Sequence, residues 1–150
     1  MSKRLLGLLW IGAVLAGAAS AQERSGESVL AEIRAHRHGV AIWWMGNTGW
    51  LIKADGLLIG TDLDLEPANK IAPPLLTARE LAGELDIEFV THQHGDHCNL
   101  PTIRALAEGG RCTFVLPQTC LKQVARLAIP EERIVVPEPL RPFEVKGIRV

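Results

Sequence analysis

The sequence has almost no excess of charge of either sign. Its 16 Lys and Arg residues nearly balance 17 Asp and Glu residues, which gives a formal net charge of −1 at pH 7. Proteins attract nucleic acid or anionic lipid through an excess of Lys and Arg on one face. The balance excludes such a general attraction, so we expect no nucleic-acid partner, and any ligand has to be predicted from a local site.

The sequence also lacks an apolar run long enough to span a bilayer. An apolar stretch at residues 5–18 follows Lys3 and Arg4 and is shorter than the ~20 residues that a membrane helix needs. Small residues at 19–21 fit a signal-peptide cleavage site. Residues 1–21 are therefore predicted to be a secretory signal peptide, and the mature protein to be periplasmic or secreted with no membrane partner. An uncleaved amino-terminal anchor is the alternative.

Cysteine is scarce and odd in number, with Cys98, Cys112 and Cys120 alone. An oxidising compartment permits disulfides, but three cysteines cannot all pair within one chain. At least one of them is therefore expected to stay free or to pair with another molecule. Cys98 is most simply a small buried residue, and a reactive or metal-binding thiol is the alternative.

Turn-forming residues divide the chain between residues 40 and 61 into short apolar segments, which predict strands at residues 40–44, 50–53 and 57–61. Trp43 and Trp44 are neighbours on the first strand, so their side chains are expected on opposite faces. Residues 22–39 are charged and weakly periodic. They are predicted to be a lead-in segment with a short helix from Ser28.

The second half alternates between strand and helix patterns. Thr77 and Glu80 have the spacing of a capping box, and Asn99 followed by Pro101 predicts the start of another helix. The remaining segments predict strands at residues 87–91, 112–116 and 134–136, a helix at 119–128 and a hairpin at 143–150. This alternation predicts an α/β layered domain whose helices pack on the faces of a sheet.

Four residues with metal-binding side chains lie within six positions, directly after a predicted strand: His92, His94, Asp96 and His97. Imidazole nitrogen and carboxylate oxygen bind Zn²⁺ and similar divalent ions. In an extended loop His92 and His94 would point the same way and share one ion, while a turn at Gly95 would direct the other two residues to a second ion. The spacing favours two ions. The alternative is a polar loop whose histidines only form hydrogen bonds.

These four residues match in full the H-x-H-x-D-H motif of the metallo-β-lactamase superfamily, which the chain resembles over residues 42–150. Within the superfamily the chain is similar to the lactonase-like branch that includes ascorbate-6-phosphate lactonase. Three further segments support the resemblance: Trp44-Met-Gly46-Asn-Thr-Gly49-Trp-Leu-Ile-Lys53, Leu58-Ile-Gly-Thr-Asp62 and Glu88-Phe-Val-Thr-His92.

The resemblance implies the amino-terminal half of an αββα sandwich, with residues 40–150 as a partial domain of a metal-dependent hydrolase. His92 and His94 would hold one metal ion, and Asp96 and His97 a second. A metal-bound hydroxide would attack an ester, lactone or phosphoester-type bond of a small molecule, because a divalent ion lowers the pKa of bound water to ~7 in known zinc sites. Asp96 would orient that hydroxide and pass its proton to the leaving group. Zn²⁺ is the expected cofactor, and Mn²⁺ or Fe²⁺ also suits these ligands.

The resemblance also implies a supporting residue outside the motif. Asp62 directly follows a predicted strand and would brace the motif loop through hydrogen bonds. Asp64 is the alternative, and either residue could instead serve in a turn or a helix cap. His36 and His38 alternate in the same way as metal ligands, but no Asp, Cys or further His lies near them in sequence to complete a shell. They are left out of the predicted site.

The family's ligand pattern is incomplete in this sequence. The resemblance implies a further His, a bridging Asp and a last His downstream of the motif, whereas no His follows His97. One hypothesis is that the chain represents part of a longer hydrolase. The other is a non-catalytic metal-binding or interaction domain left by truncation. In the chain as given, half of a sandwich would leave open sheet edges and apolar sheet surface, which favour a homo-oligomer.

Overall fold

The structure of the chain is a computed structural model that describes residues 25–66 and 73–150. The predicted signal peptide lies outside the described residues, so export stays a prediction. Across the described ranges, no helix combines the length and the apolar character that a membrane span requires.

Six strands form one mixed sheet, and they are β1 Ala41–Gly46, β2 Gly49–Ala54, β3 Leu57–Thr61, β4 Ile87–Phe89, β5 Thr113–Val115 and β6 Ile134–Val135. Their order in the sheet follows their order in the chain. β1, β2 and β3 pair antiparallel through tight turns, whereas β3 to β6 pair parallel because a helical segment separates each strand from the next. The α/β character predicted from the alternating patterns is confirmed.

The described residues form four α-helices, which are α1 Gly26–Ala35, α2 Ala78–Leu81, α3 Leu100–Gly109 and α4 Gln118–Val124. The capping box of Thr77 and Glu80 is present at the start of α2. Asn99 caps α3 by accepting from the Thr102 N–H at 2.9 Å. The helix predicted over residues 119–128 is shorter, because α4 gives way to a 3-10 turn at Ala125–Leu127.

All four helices pack on one face of the sheet. Alternate strand residues point into this core, among them Trp43, Leu51 and Leu58, and they meet buried side chains from every helix: Val29, Ile33, Leu81, Ile103, Leu106 and Val124. α1 lies within the predicted lead-in, so that segment contributes to the core. Trp43 is buried and Trp44 is exposed, as the strand alternation predicts.

A hairpin covers part of the opposite face of the sheet. It consists of β7 Glu144–Val145 and β8 Ile148–Arg149, and Val145 packs there against Ile87 and Val115. At the β1 and β2 end of this face, Ile42, Trp44 and Trp50 are 59%, 59% and 44% exposed. Trp44 and Trp50 are direct partners across the two strands. These three residues are called the apolar patch below.

We expect the apolar patch to make the chain self-associate, because contiguous exposed apolar surface is a site of protein association. Replacing Ile42, Trp44 and Trp50 together by Ser is expected to shift the protein toward the monomer, as measured by size-exclusion chromatography with light scattering. Leu140→Ser is the matched control, since Leu140 is 104% exposed but lies outside the sheet. An unchanged mass distribution in the patch variant would contradict the expectation.

Candidate metal centre

The parallel pairing of β3 with β4 brings two loops together at one edge of the sheet. Thr61 pairs with Phe89, and the Asp62 N–H donates to the carbonyl of Phe89 at 2.8 Å. Asp62, which leaves β3, therefore lies beside residues 90–99, which leave β4. This second segment contains the whole H-x-H-x-D-H motif and is called the motif loop. The carboxyl ends of parallel strands are the usual location of ligand sites in such sheets.

The motif loop closes into a tight turn on His94. The His94 carbonyl accepts from the N–H groups of His97 at 3.0 Å and Cys98 at 2.7 Å. Gly95 is not among the residues with positive φ, and nothing lies within 4 Å of the place where its Cβ would be. The predicted turn is present, but it does not require the conformational freedom of glycine at this position.

His92 and His94 converge on each other. Nε2 of His92 lies 3.0 Å from Nδ1 of His94, and the ring centroids are 4.7 Å apart. Two nitrogen atoms bound to one tetrahedral zinc ion, at ~2.0 Å each, lie about 3.3 Å apart. The separation in the structure is close to that value, so the two imidazoles are placed as two donors to one ion would be.

Asp96 and His97 form a second pair of candidate donors. Oδ2 of Asp96 lies 3.7 Å from Nε2 of His97, and the Asp96 side chain is 56% exposed. Nδ1 of His97 faces Oδ2 of Asp62 at 2.9 Å. A metal-binding His commonly uses one ring nitrogen for the ion and donates the other N–H to a carboxylate. His97 has this arrangement, with Nε2 toward Asp96 and Nδ1 toward Asp62.

Asp62 is buried and accepts two hydrogen bonds from the start of the motif loop. Oδ1 accepts from the Thr91 N–H at 2.8 Å, and Oδ2 accepts from the Thr91 hydroxyl at 2.8 Å. Its backbone adopts a φ of 47°, a left-handed conformation that Asp tolerates better than most residues. The structure thus places Asp62 against the loop that the sequence predicted it to brace, and its effect on metal binding stays a prediction.

Asp64 has different partners. Oδ1 accepts from Nδ2 of Asn99 at 2.9 Å, and Oδ2 accepts from Nδ2 of Asn47 at 3.2 Å. Asn99 is the cap of α3, and Asn47 lies in the turn between β1 and β2. Asp64 therefore connects a helix cap to a turn, whereas Asp62 contacts His97 of the motif.

The described residues provide at most two candidate donors for any one metal ion. Among them, no group of three or more His, Cys, Asp or Glu side chains is placed so that it could hold one ion. Complete zinc sites have three or four protein donors. The chemistry of the two pairs fits a divalent ion, but each pair supplies only two donors and leaves the coordination shell of an ion incomplete. His36 does not extend it, because Nε2 of His36 lies 3.3 Å from the Gly39 carbonyl and its ring meets the edge of Trp43.

Two threonines at this edge were not predicted from the sequence. Thr91 contacts Asp62 and two histidines of the motif, and the Thr48 hydroxyl donates to the Asp96 carbonyl at 3.3 Å. Thr48 belongs to the turn segment that supported the family resemblance, and this membership could have predicted that it lies near the motif. For Thr91, the feature that could have predicted its contact with the motif is its position directly before His92.

Glu88 lies fully buried beneath the same edge. Its Oε1 accepts from the Leu63 N–H at 2.9 Å, whereas Oε2 has no hydrogen-bond partner among the described residues. Gly60 gives it room, since a Cβ there would collide with Oε2. Burial raises the pKa of Glu88 well above 4.5, opposed by the Leu63 hydrogen bond and reinforced by the charge of Asp62. The carboxyl group therefore stays protonated well above that pH.

The three cysteines are buried free thiols. Burial, assisted by a contact with the Cys120 thiol, raises the pKa of Cys98 to about 12. Cys98 is therefore a neutral, unreactive thiol at physiological pH, although it directly follows His97. This agrees with the simpler sequence interpretation of Cys98 as a small buried residue.

Comparison with known sequences supports the lactonase resemblance over part of the chain. No protein-family profile matches the sequence. The probable L-ascorbate-6-phosphate lactonases UlaG of Salmonella heidelberg (strain SL476) and Salmonella paratyphi B (strain ATCC BAA-1250 / SPB7) are 24% identical over 73% of this chain. The match covers 39% of each relative, so the chain spans about two fifths of the length of the curated relatives that it matches.

Comparison with solved structures supports the fold. Igni18, a novel metallo hydrolase from the hyperthermophilic archaeon Ignicoccus hospitalis KIN4/I, aligns with a TM-score of 0.51 at 15% sequence identity. The alignment covers 71% of this chain and 42% of that one. At this identity the likeness concerns the fold alone. The resemblance predicted from the sequence is therefore confirmed as a similarity: over part of its length the chain is similar to probable lactonases, and its fold is similar to part of the fold of a metallo hydrolase.

Proposed function

We propose that this chain represents part of a metal-dependent hydrolase that acts on an ester, lactone or phosphoester-type bond of a small molecule. The observation that supports this most is the arrangement of the four motif side chains as two donor pairs on one loop. That loop lies at the carboxyl edge of the parallel strands, where α/β proteins bind ligands. The similarity to probable lactonases favours a lactone or a related ester among these bonds.

Each donor pair has a defined part in the proposal. His92 Nε2 and His94 Nδ1, which lie 3.0 Å apart, would hold one divalent ion, and Asp96 Oδ2 and His97 Nε2 would hold another. Nitrogen and carboxylate donors suit Zn²⁺, and they also accept Mn²⁺ or Fe²⁺. A divalent ion, when bound, lowers the pKa of coordinated water and polarises the oxygen of the scissile bond.

Asp96 is the residue that we assign to proton transfer. Its side chain is 56% exposed, whereas the Asp62 side chain is 9% exposed and accepts several hydrogen bonds. An accessible carboxylate can bind a metal ion through one oxygen and, through its other oxygen, take a proton from the attacking water and deliver it to the leaving group. The Thr48 hydroxyl, which donates to the Asp96 carbonyl at 3.3 Å, helps to hold the backbone at that position.

A non-catalytic metal-binding or interaction domain is the second candidate function. It is favoured by the absence, among the described residues, of a third donor beside either pair. Two donors would leave an ion weakly held and open to solvent. The apolar patch would then serve as the surface that binds a partner.

A substrate panel separates the two functions. The chain is loaded with Zn²⁺, Mn²⁺ or Fe²⁺ and tested on chromogenic esters, lactones and phosphodiesters. For a hydrolase, we expect turnover that requires the metal and falls by about 100-fold or more in the His92→Ala/His94→Ala variant, because polarisation by an ion is worth several kcal/mol. Metal binding without turnover of any substrate would favour the non-catalytic domain. A chain that binds no metal would contradict both metal-dependent roles and leave an interaction domain.

A further inference from the structure

The Thr91 side chain contacts three residues of the candidate site. Its hydroxyl oxygen lies 2.8 Å from Oδ2 of Asp62, 3.0 Å from Nδ1 of His92 and 3.3 Å from Nδ1 of His97. Its backbone N–H separately donates to Oδ1 of Asp62 at 2.8 Å. The hydroxyl therefore stands between the buried aspartate and one histidine of each donor pair.

Counting protons around this hydroxyl fixes the direction of each hydrogen bond. A hydroxyl has one hydrogen to donate, and an ionised carboxylate can only accept. The hydrogen of Thr91 is therefore given to Asp62. Because Nδ1 of His97 donates its one hydrogen to Asp62 at 2.9 Å, the oxygen of Thr91 is left to accept from Nδ1 of His92. Nδ1 of His92 then carries the proton, and Nε2 of His92 keeps its lone pair. That lone pair is on the nitrogen that lies 3.0 Å from Nδ1 of His94.

We propose that Thr91 is a positioning residue: its hydroxyl holds His92 in the tautomer with Nδ1 protonated, so that Nε2 faces His94 as a metal donor. This inference rests on the proposed function, because it assigns the residue a part in metal binding. Asp62 serves His97 directly, by accepting from Nδ1 at 2.9 Å. Among the described residues, Nδ1 of His92 contacts no carboxylate directly, and the Thr91 hydroxyl links it to the carboxylate of Asp62.

A valine at position 91 tests the hydroxyl alone. Val keeps the shape and branching of Thr, and it keeps the backbone N–H that donates to Oδ1 of Asp62. Thr91→Ser is the matched control, since it removes a methyl group and retains the hydroxyl. Circular dichroism and thermal melting of the full chain establish that both variants fold.

Two readouts are measured on the wild type, Thr91→Val and Thr91→Ser. Long-range ¹H–¹⁵N NMR of histidine-labelled, metal-free protein, at a pH where the imidazoles are neutral, reports which nitrogen of His92 is protonated. Competition with a chromophoric chelator gives the affinity for Zn²⁺. We expect Nδ1 protonation in the wild type and Thr91→Ser, a shift toward Nε2 protonation in Thr91→Val, and a ~10- to 100-fold weaker zinc affinity in Thr91→Val alone.

The outcomes separate this inference from the proposed function. A wild-type chain with no zinc affinity would overturn the proposed function, while the tautomer in the metal-free protein would still test Thr91. A Thr91→Val variant whose His92 stays protonated at Nδ1 would overturn the inference, whatever its zinc affinity. A shifted tautomer with unchanged zinc affinity would also overturn it, because the hydroxyl would then orient no metal donor.

Discussion

Replacing His92 and His94 together by Ala is expected to remove at least half of the divalent metal that the wild-type chain binds. The two imidazoles lie with their nitrogen atoms 3.0 Å apart and face one point, so their loss removes both donors of one pair. Asp96 and His97 remain as a separate pair. Elemental analysis of purified protein, after exposure to Zn²⁺ and desalting, measures the metal content per chain.

The chain offers a matched control for this experiment. His36 and His38 have the same spacing, but His36 contacts Gly39 and Trp43 rather than a second imidazole. His36→Ala/His38→Ala is therefore expected to bind as much metal as the wild type. Equal metal content in the two double variants would refute the site. Loss of His92 and His94 would then have no more effect on metal binding than loss of two other histidines with the same spacing.

The location of the motif could be predicted because strand order and chemistry agree. An apolar strand followed at once by His92 places the histidines at a strand end, and Asp62 likewise follows an apolar strand. Parallel pairing then puts both strand ends at one edge. Periodicity gave the strands to within a few residues: β4 ends at Phe89 rather than at Thr91, because the Thr91 N–H bonds to the Asp62 side chain and not to a neighbouring strand.

Other features depend on contacts between distant parts of the chain. Nothing next to Glu88 in the sequence indicates full burial of a carboxyl group, which requires Gly60 on the neighbouring strand and the Leu63 N–H as a donor. The lead-in helix α1 likewise could not be assigned to the core from its weak periodicity. Its Val29 and Ile33 become buried because the helix packs on the same sheet face as the other three helices.

Glu88→Gln is expected to make the stability of the protein less dependent on pH. The raised pKa means that the folded state keeps Glu88 protonated where the unfolded state releases the proton. The stabilising contribution of the neutral acid is therefore complete below pH 4.5 and is lost as the pH rises toward the folded-state pKa. Gln cannot ionise, so the free energy of unfolding of the variant should gain on the wild type by up to ~1.4 kcal/mol per pH unit in that window.

Urea denaturation at pH 5, 6 and 7 measures this difference. Gln retains an oxygen that can accept from the Leu63 N–H, and any cost of its unpartnered amide group is the same at each pH, so only the slope matters. Glu80→Gln is the control, because hydrogen bonds from Thr77 lower the pKa of Glu80, which is ionised in both states across this range. Its stability should parallel the wild type. Parallel curves for Glu88→Gln and the wild type would mean that Glu88 is ionised in the folded protein and that its burial is relieved by a partner or by water.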